Sequence, residues 1–148
     1  MATIRHRIEI AAPAGRIWPL VSTAEGLTRW WAADVVVKPG RATVVELGFF
    51  GRSTVYRLRA VEAAPPESVR WRCETGKEWA GTSIAFDLAA ASGGTTLRFS
   101  HAGWRRATDY FVSCNTTWGA LMFRLKAAAE GKATSPLFSR TGMAGGEG

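Results

Sequence analysis

The last third of the chain changes its hydrophobic period, and that change constrains the fold more than any single residue does. Phe111, Cys114, Trp118, Leu121, Met122, Leu125 and Ala129 recur every three or four positions, which is the spacing of one face of a helix. The pattern predicts a helix from about Thr108 to Glu130, with Gly131 just past its end. At about 1.5 Å per residue such a helix is roughly 35 Å long, enough to cross a whole sheet. The clear patterns before it alternate instead. Ile4, Ile8 and Ile10, with His6, oppose Arg5, Arg7 and Glu9. Val69, Trp71 and Cys73 oppose Arg70, Arg72 and Glu74. Ile84, Phe86 and Leu88 share one parity, as do Leu97, Phe99 and His101. Alternation of this kind marks strands with one buried face.

Turn signals divide the alternating region. Ala12-Pro13-Ala14 opens a helix whose apolar side is Ile17, Trp18, Leu20 and Val21, and Pro19 keeps it short or kinked. Thr23 is placed to cap a second short helix, Ala24–Trp30. Pro39-Gly40, Pro65-Pro66, Thr75-Gly76-Lys77 and Ser92-Gly93-Gly94 are turns. Phe49-Phe50-Gly51 reads as a hairpin tip with exposed aromatics. Strands are expected over Thr3–Ile10, Arg41–Leu47, Ser53–Glu62, Ser68–Glu74, Trp79–Ala89 and Thr95–His101. The expected class is α+β: a curved antiparallel six-stranded sheet around a long C-terminal helix, with two short helices after the first strand. Residues 1–132 form the expected domain. Residues 133–148 are expected to be a poorly ordered tail, in which Pro136-Leu137-Phe138 has reason to dock.

Composition narrows the functional classes. A chain of 148 residues can bury a core without staples. It has no apolar run of about 18 residues and no signal-peptide pattern at its start, so a cytoplasmic protein without membrane insertion is expected. Cys73 and Cys114 are far apart in apolar settings and read as buried thiols. No Cys/His cluster has metal-ligand spacing, so neither a metal nor a cofactor is expected. The net charge is +7, yet its arginines are scattered. Arg57, Arg59, Arg70, Arg72 and Arg98 fall on the parity opposite the apolar side, interleaved with Glu62, Glu74 and Asp87. That face offers no aromatics to stack bases, so nucleic acid is not an expected partner.

Seven tryptophans raise the question of an aromatic core against an aromatic-lined cavity. Concave apolar surfaces with a few polar groups are the usual form of small-molecule sites. Parity turns Trp71, Phe86, Phe99 and His101 of the strands toward Cys114, Trp118 and Met122 of the helix, with Trp79 and Tyr110 at the ends of these elements. His101 could bond a ligand or act as an acid or base. No nucleophile–base pair and no pair of carboxylates has interpretable spacing, so no catalytic residue is assigned. Asp109 suits the first turn of the long helix.

Two stretches carry a resemblance. "IEIAAPAGRIWPLVSTAEGLTRWWA" and "LRFSHAGWRRATDYFVSCNTTWGALMFRLKAAAEGK" resemble the opening and closing halves of START-like domains of the activator-of-Hsp90-ATPase-homologue family. The resemblance covers about residues 3–132. It implies the helix-grip fold, a curved antiparallel sheet gripping a C-terminal helix with a cavity between them. Trp30, Trp31 and Trp104 coincide with the family's signature turns, which places Trp31 and Trp104 among the expected ligand-binding residues. The wider superfamily includes lipid and hormone binders, polyketide cyclases, ring-hydroxylase domains and chaperone activators. The expected function is binding of a small hydrophobic or aromatic molecule between sheet and helix. The alternatives are an interaction module, as a homodimer subunit or chaperone partner, and a cyclase or hydrolase using His101. The chaperone activators resemble a two-domain arrangement whose N-terminal module is not legible here, so Hsp90 is not the expected partner.

Overall fold

The computed structural model describes residues 1–144. Strand β1 (Ala2–Ile10) leads into helices α1 (Ala14–Ser22) and α2 (Ala24–Leu27). Strands β2 (Asp34–Lys38), β3 (Val44–Phe49), β4 (Thr54–Ala64), β5 (Ser68–Cys73), β6 (Ser83–Ala91) and β7 (Gly94–Trp104) follow, and then helix α3 (Asp109–Ala129). The strands form one curved antiparallel sheet in the order β1-β7-β6-β5-β4-β3-β2. The sheet has seven strands rather than the expected six. The additional one, β2, carries three successive valines and does not alternate. It lies at the sheet edge, paired only with β3, and leaves Val36 and Val37 exposed. An edge strand with no fully buried face gives no period-2 signal.

Helix α3 is capped by Thr108, whose hydroxyl accepts from the Phe111 N–H at 3.2 Å. Asp109 sits in the first turn beside the cap and complements the dipole. The buried face of α3 is Cys114, Trp118, Leu121, Met122, Leu125, Ala128 and Ala129, so the period seen in the sequence is the packing period. Each large side chain buried there contributes about 1.5–3 kcal/mol. Glu130, at the helix end, accepts from the Ala11 N–H at 2.8 Å and from the Lys126 ammonium at 2.7 Å. It thereby ties α3 to the end of β1. Gly26 lets α2 press on α1, because a Cβ there would lie 2.0 Å from the Pro19 carbonyl oxygen.

On the outer face of the sheet Arg57 pairs with Glu46 at 2.9 Å, Arg59 with Glu74 at 2.8 Å, and Arg70 with Glu62. These are cross-strand pairs on a solvated surface, as the parity implied.

Three local expectations need correction. Trp79 does not begin a strand: β6 starts at Ser83, and Trp79 sits in a loop of turns. That loop is closed by the Ala80 N–H on the Gly76 carbonyl (3.1 Å) and the Thr82 N–H on the Trp79 carbonyl (2.9 Å). Phe49 is buried rather than exposed. Phe49 packs edge-on against Phe138 (5.0 Å) and Tyr56 (5.8 Å), and only Phe50 stays open to solvent, at 50 % exposure. The expected tail docks at its middle, as Pro136-Leu137-Phe138 gave reason to expect, while residues 133–135 stay exposed. Leu137 is buried, and its N–H and that of Phe138 donate to the Trp30 and Trp31 carbonyls at 3.1 and 3.0 Å. Burying two apolar side chains and satisfying a short ladder of backbone groups outweighs the entropy of a free end. The rest of the expected tail, residues 145–148, lies outside the described residues.

Candidate functional site

A cavity of about 300 Å³ opens between one end of the sheet and α3. The β3–β4 hairpin supplies Phe49, Phe50, Thr54 and Tyr56. Helix α3 supplies Tyr110, Ser113, Cys114, Thr117, Trp118 and Leu121. Trp31, Trp79, Phe138 and Met143 complete the wall. Phe50, Tyr110 and Met143 are 50 %, 40 % and 43 % exposed, so they mark its mouth. Among the described residues, no charged side chain lines it. Its volume is at the small end of the roughly 300–1,000 Å³ of small-molecule sites.

Stacked rings build the floor. Tyr56 and Trp79 are parallel, with centroids 4.0 Å apart and planes at 8°. Trp79 and Trp118 are also near-parallel at 6.2 Å and 17°. Trp31 tilts against Trp118 at 4.9 Å. Gly76 makes the first stack possible. Its φ is +103°, and a Cβ there would lie 2.5 Å from Tyr56 Cε1. Any other residue at Gly76 strains the loop and pushes the Tyr56 ring.

Behind the floor lies His101, fully buried. Trp118 Nε1–H can only donate, and it does so to His101 Nδ1 at 3.2 Å. The ring proton therefore sits on Nε2, which donates to Thr82 Oγ1 at 2.8 Å. The Thr82 hydroxyl in turn donates to the Trp79 carbonyl at 2.6 Å. The direction of every bond in this chain is fixed, and both imidazole nitrogens are used. Burial lowers the His101 pKa to about 3, so the ring is neutral. Its place is structural: it holds Trp79 and Trp118, the two indoles of the cavity floor.

One donor at the cavity is left over. The Trp79 Nε1–H is not it: the atom is sealed from solvent and from the cavity, has no nitrogen or oxygen partner among the described residues, and lies beside the Cys114 sulfur. Tyr56 and Tyr110 share a hydrogen bond, oxygen to oxygen, of 2.5 Å. Burial, first among the causes, raises both phenols above the usual tyrosine range, so both are protonated at neutral pH. Two O–H groups that share one hydrogen bond leave one proton unused, whichever oxygen donates. Burial likewise pushes the Cys114 thiol up, and Cys73 to about 12, so neither is a nucleophile at neutral pH. Glu78 turns away and accepts from the Thr108 hydroxyl at 2.6 Å.

The eleven expected binding residues separate cleanly. Trp31, Trp79, Tyr110, Cys114 and Trp118 line the cavity. Trp71, Phe86, Phe99, His101, Trp104 and Met122 pack in the core behind it. Trp71 is held by α1, donating its N–H to the Val21 carbonyl at 2.9 Å. Trp104 lies against His101 at 4.8 Å and Phe111 at 5.2 Å. The sequence reading missed Tyr56, whose parity with Leu58 in β4 was an available signal. It also missed the cavity-facing use of Phe49, Phe138 and Met143, which depends on two segments distant in sequence coming together. Among the described residues, no group of three or more His, Cys, Asp or Glu could hold a metal ion. No helix among them is long and apolar enough to cross a membrane.

A curved antiparallel sheet closed on a long C-terminal helix, with an aromatic cavity between them, defines a helix-grip domain of the START-like class. The chain belongs to the Activator of Hsp90 ATPase homolog 1-like protein family, whose sequence model matches residues 11–130. Among solved structures it is similar to the Aha1 dimer from Colwellia psychrerythraea, with 30% identity and a TM-score of 0.78, covering 88% of this chain and 97% of that one. It is also similar in fold to protein MLL2253 from Mesorhizobium loti, at 14% identity and a TM-score of 0.75, covering 89% and 99% of the two chains. Protein BH1534 from Bacillus halodurans shares the fold at 19% identity and a TM-score of 0.70, over 88% and 98%. A comparison with curated proteins found no match.

Proposed function

We propose that this protein binds a small, uncharged aromatic molecule carrying a hydrogen-bond acceptor, in the cavity between the β3–β4 hairpin and α3. The observation that carries the reading is the mismatch of donors and charge at the wall. Among the described residues the lining holds stacked rings and no ionised group, while one phenol proton of the Tyr56–Tyr110 pair has no oxygen acceptor. An aromatic ligand extends the stack, and its acceptor takes the phenol proton that the tyrosine pair leaves over. A charged ligand would lose its hydration with nothing to pair it. The reading gives His101 no acid–base role, because both its nitrogens are occupied behind the floor.

The test compares 2-acetonaphthone with 2-ethylnaphthalene, which differ by one carbonyl oxygen, using tryptophan fluorescence and native mass spectrometry. The ketone is expected to bind about ten-fold more tightly, the worth of one good hydrogen bond. The double variant Tyr56→Phe/Tyr110→Phe should narrow that gap. Equal affinity for the two probes, or none for either, would sink the reading.

A second reading, self-association, is favoured by likeness to a protein solved as a dimer and by exposed Val36 and Val37 on the edge strand β2. Sedimentation velocity of the wild type and Val37→Lys tests it, and a monomeric wild type removes it. Hsp90 is not our reading for this chain, since the candidate site is an interior cavity of ligand size rather than a protein-sized surface.

A further inference from the structure

The cavity mouth is closed on one side by a strap that lies outside the family match. That match ends at residue 130. After it, residues 131–135 are exposed and without regular structure. The chain then docks. Leu137 is buried, and the Leu137, Phe138 and Ala33 amides complete a short parallel bridge between Ala32 and Phe138. Phe138 packs edge-on against Phe49 at 5.0 Å and Phe50 at 6.0 Å. It and Met143 are both part of the cavity wall.

Beside the strap, at the same mouth, is a strained hairpin tip. Phe50, Gly51 and Arg52 all have positive φ, at 52°, 65° and 67°. Two of these are non-glycine residues in the left-handed region, which persists only where surroundings hold it. Here the holders are visible. Arg52 Nε donates to Asp34 at 2.8 Å, and the Gly51 N–H donates to the Arg140 carbonyl at 2.7 Å. The second bond runs from the hairpin tip directly to the strap. Tip and strap therefore latch each other at the mouth, through one backbone bond and the Phe50–Phe138 contact. The exposed stretch 131–135 is the natural hinge: it buries no side chain of its own, Arg124 holds it only at Ser135, donating to the carbonyl at 2.7 Å, and Leu137 is the one buried side chain that leaves its place when the strap swings.

The geometry points to a gate: the strap of residues 136–144 controls entry to the cavity and, through Phe138 and Met143, sets the size of the ligand admitted. This rests on the cavity being the binding site proposed above. Removing the strap takes away one wall and the hairpin's partner together. Ligand exchange is then no longer limited by the fraction of time the strap is open.

The experiment uses 6-propionyl-2-(dimethylamino)naphthalene, a neutral fluorescent naphthyl ketone, in stopped flow. Three proteins are compared: the full chain, a chain ended after Lys132, and Leu137→Ser, which removes the strap's buried anchor but keeps its length. Association and dissociation are both expected to accelerate in the two variants, by about five- to thirty-fold, the factor expected for releasing one weakly held segment. The shortened chain should also admit a probe too bulky for the full chain, such as 9-benzoylanthracene. Binding to the full chain with unchanged rates and unchanged size selection in both variants overturns the gate and leaves the cavity reading standing. No binding to any of the three proteins overturns the cavity reading, and the gate with it. Loss of the folded circular dichroism spectrum in both variants makes the strap a structural staple and overturns the gate.

Discussion

Acidification isolates the contribution of a single buried imidazole. His101 is fully buried and neutral, with its pKa lowered to about 3 from the ordinary 6.5. Below about pH 6.5 the unfolded chain takes up a proton at this site and the folded chain does not. Stability is therefore fully present above that pH and falls as pH drops, until the folded form also protonates near 3. At about pH 5 the unfolded imidazole is favoured roughly thirty-fold by protonation, which lowers stability by about 2 kcal/mol relative to about pH 8. Few carboxylates titrate in that window, so most of the change belongs to histidine. Urea unfolding followed by tryptophan fluorescence at the two pH values measures it. His101→Phe supplies the control. It is less stable at both pH values, because the Trp118 N–H loses its acceptor, but its loss between them should be smaller than the wild type's by about 2 kcal/mol. Equal losses in wild type and His101→Phe would refute the buried neutral ring and the hydrogen-bond chain assigned to it.

Other outcomes follow from the same contacts. Gly76→Ala should destabilise by about 2 kcal/mol and weaken probe binding, since its Cβ would meet the Tyr56 ring in a backbone conformation that disfavours it; calorimetry and probe titration read the two effects. Tyr56→Phe and Tyr110→Phe in a double-mutant cycle should show a coupling of about 1 kcal/mol, and additive effects would remove the phenol pair. Glu130 is held at about 2 by its hydrogen bonds to Lys126 and Ala11, below the ordinary 4.5, so its contribution is present above about pH 4.5 and lost as pH falls toward 2. Glu130→Gln should cost about 1–2 kcal/mol near neutral pH and flatten the stability curve below about pH 4.5.

The sequence by itself determined the scaffold. Period 3.6 from Phe111 to Ala129 and period 2 through β1, β5, β6 and β7 are records of which side chains face the core, and that local geometry survives in any tertiary setting. It also put His101 inside and the arginines outside. The site was legible only in part. Parity says that a side chain points inward; it does not say whether space remains beside it. Trp71 and Trp118 share an inward sense, yet Trp71 is packed under α1 while Trp118 borders the cavity. That difference is set by where α1 and α3 lie on the curved sheet. The edge strand β2 left no period because it has no fully buried face. The strap could be read only as a weak tail, because its order comes from amides that meet Trp30 and Trp31, roughly a hundred positions earlier in the chain. Contacts of that kind have no local signature. Packing alone decided which tryptophans fill the core, which leave room for a ligand, and what closes the mouth.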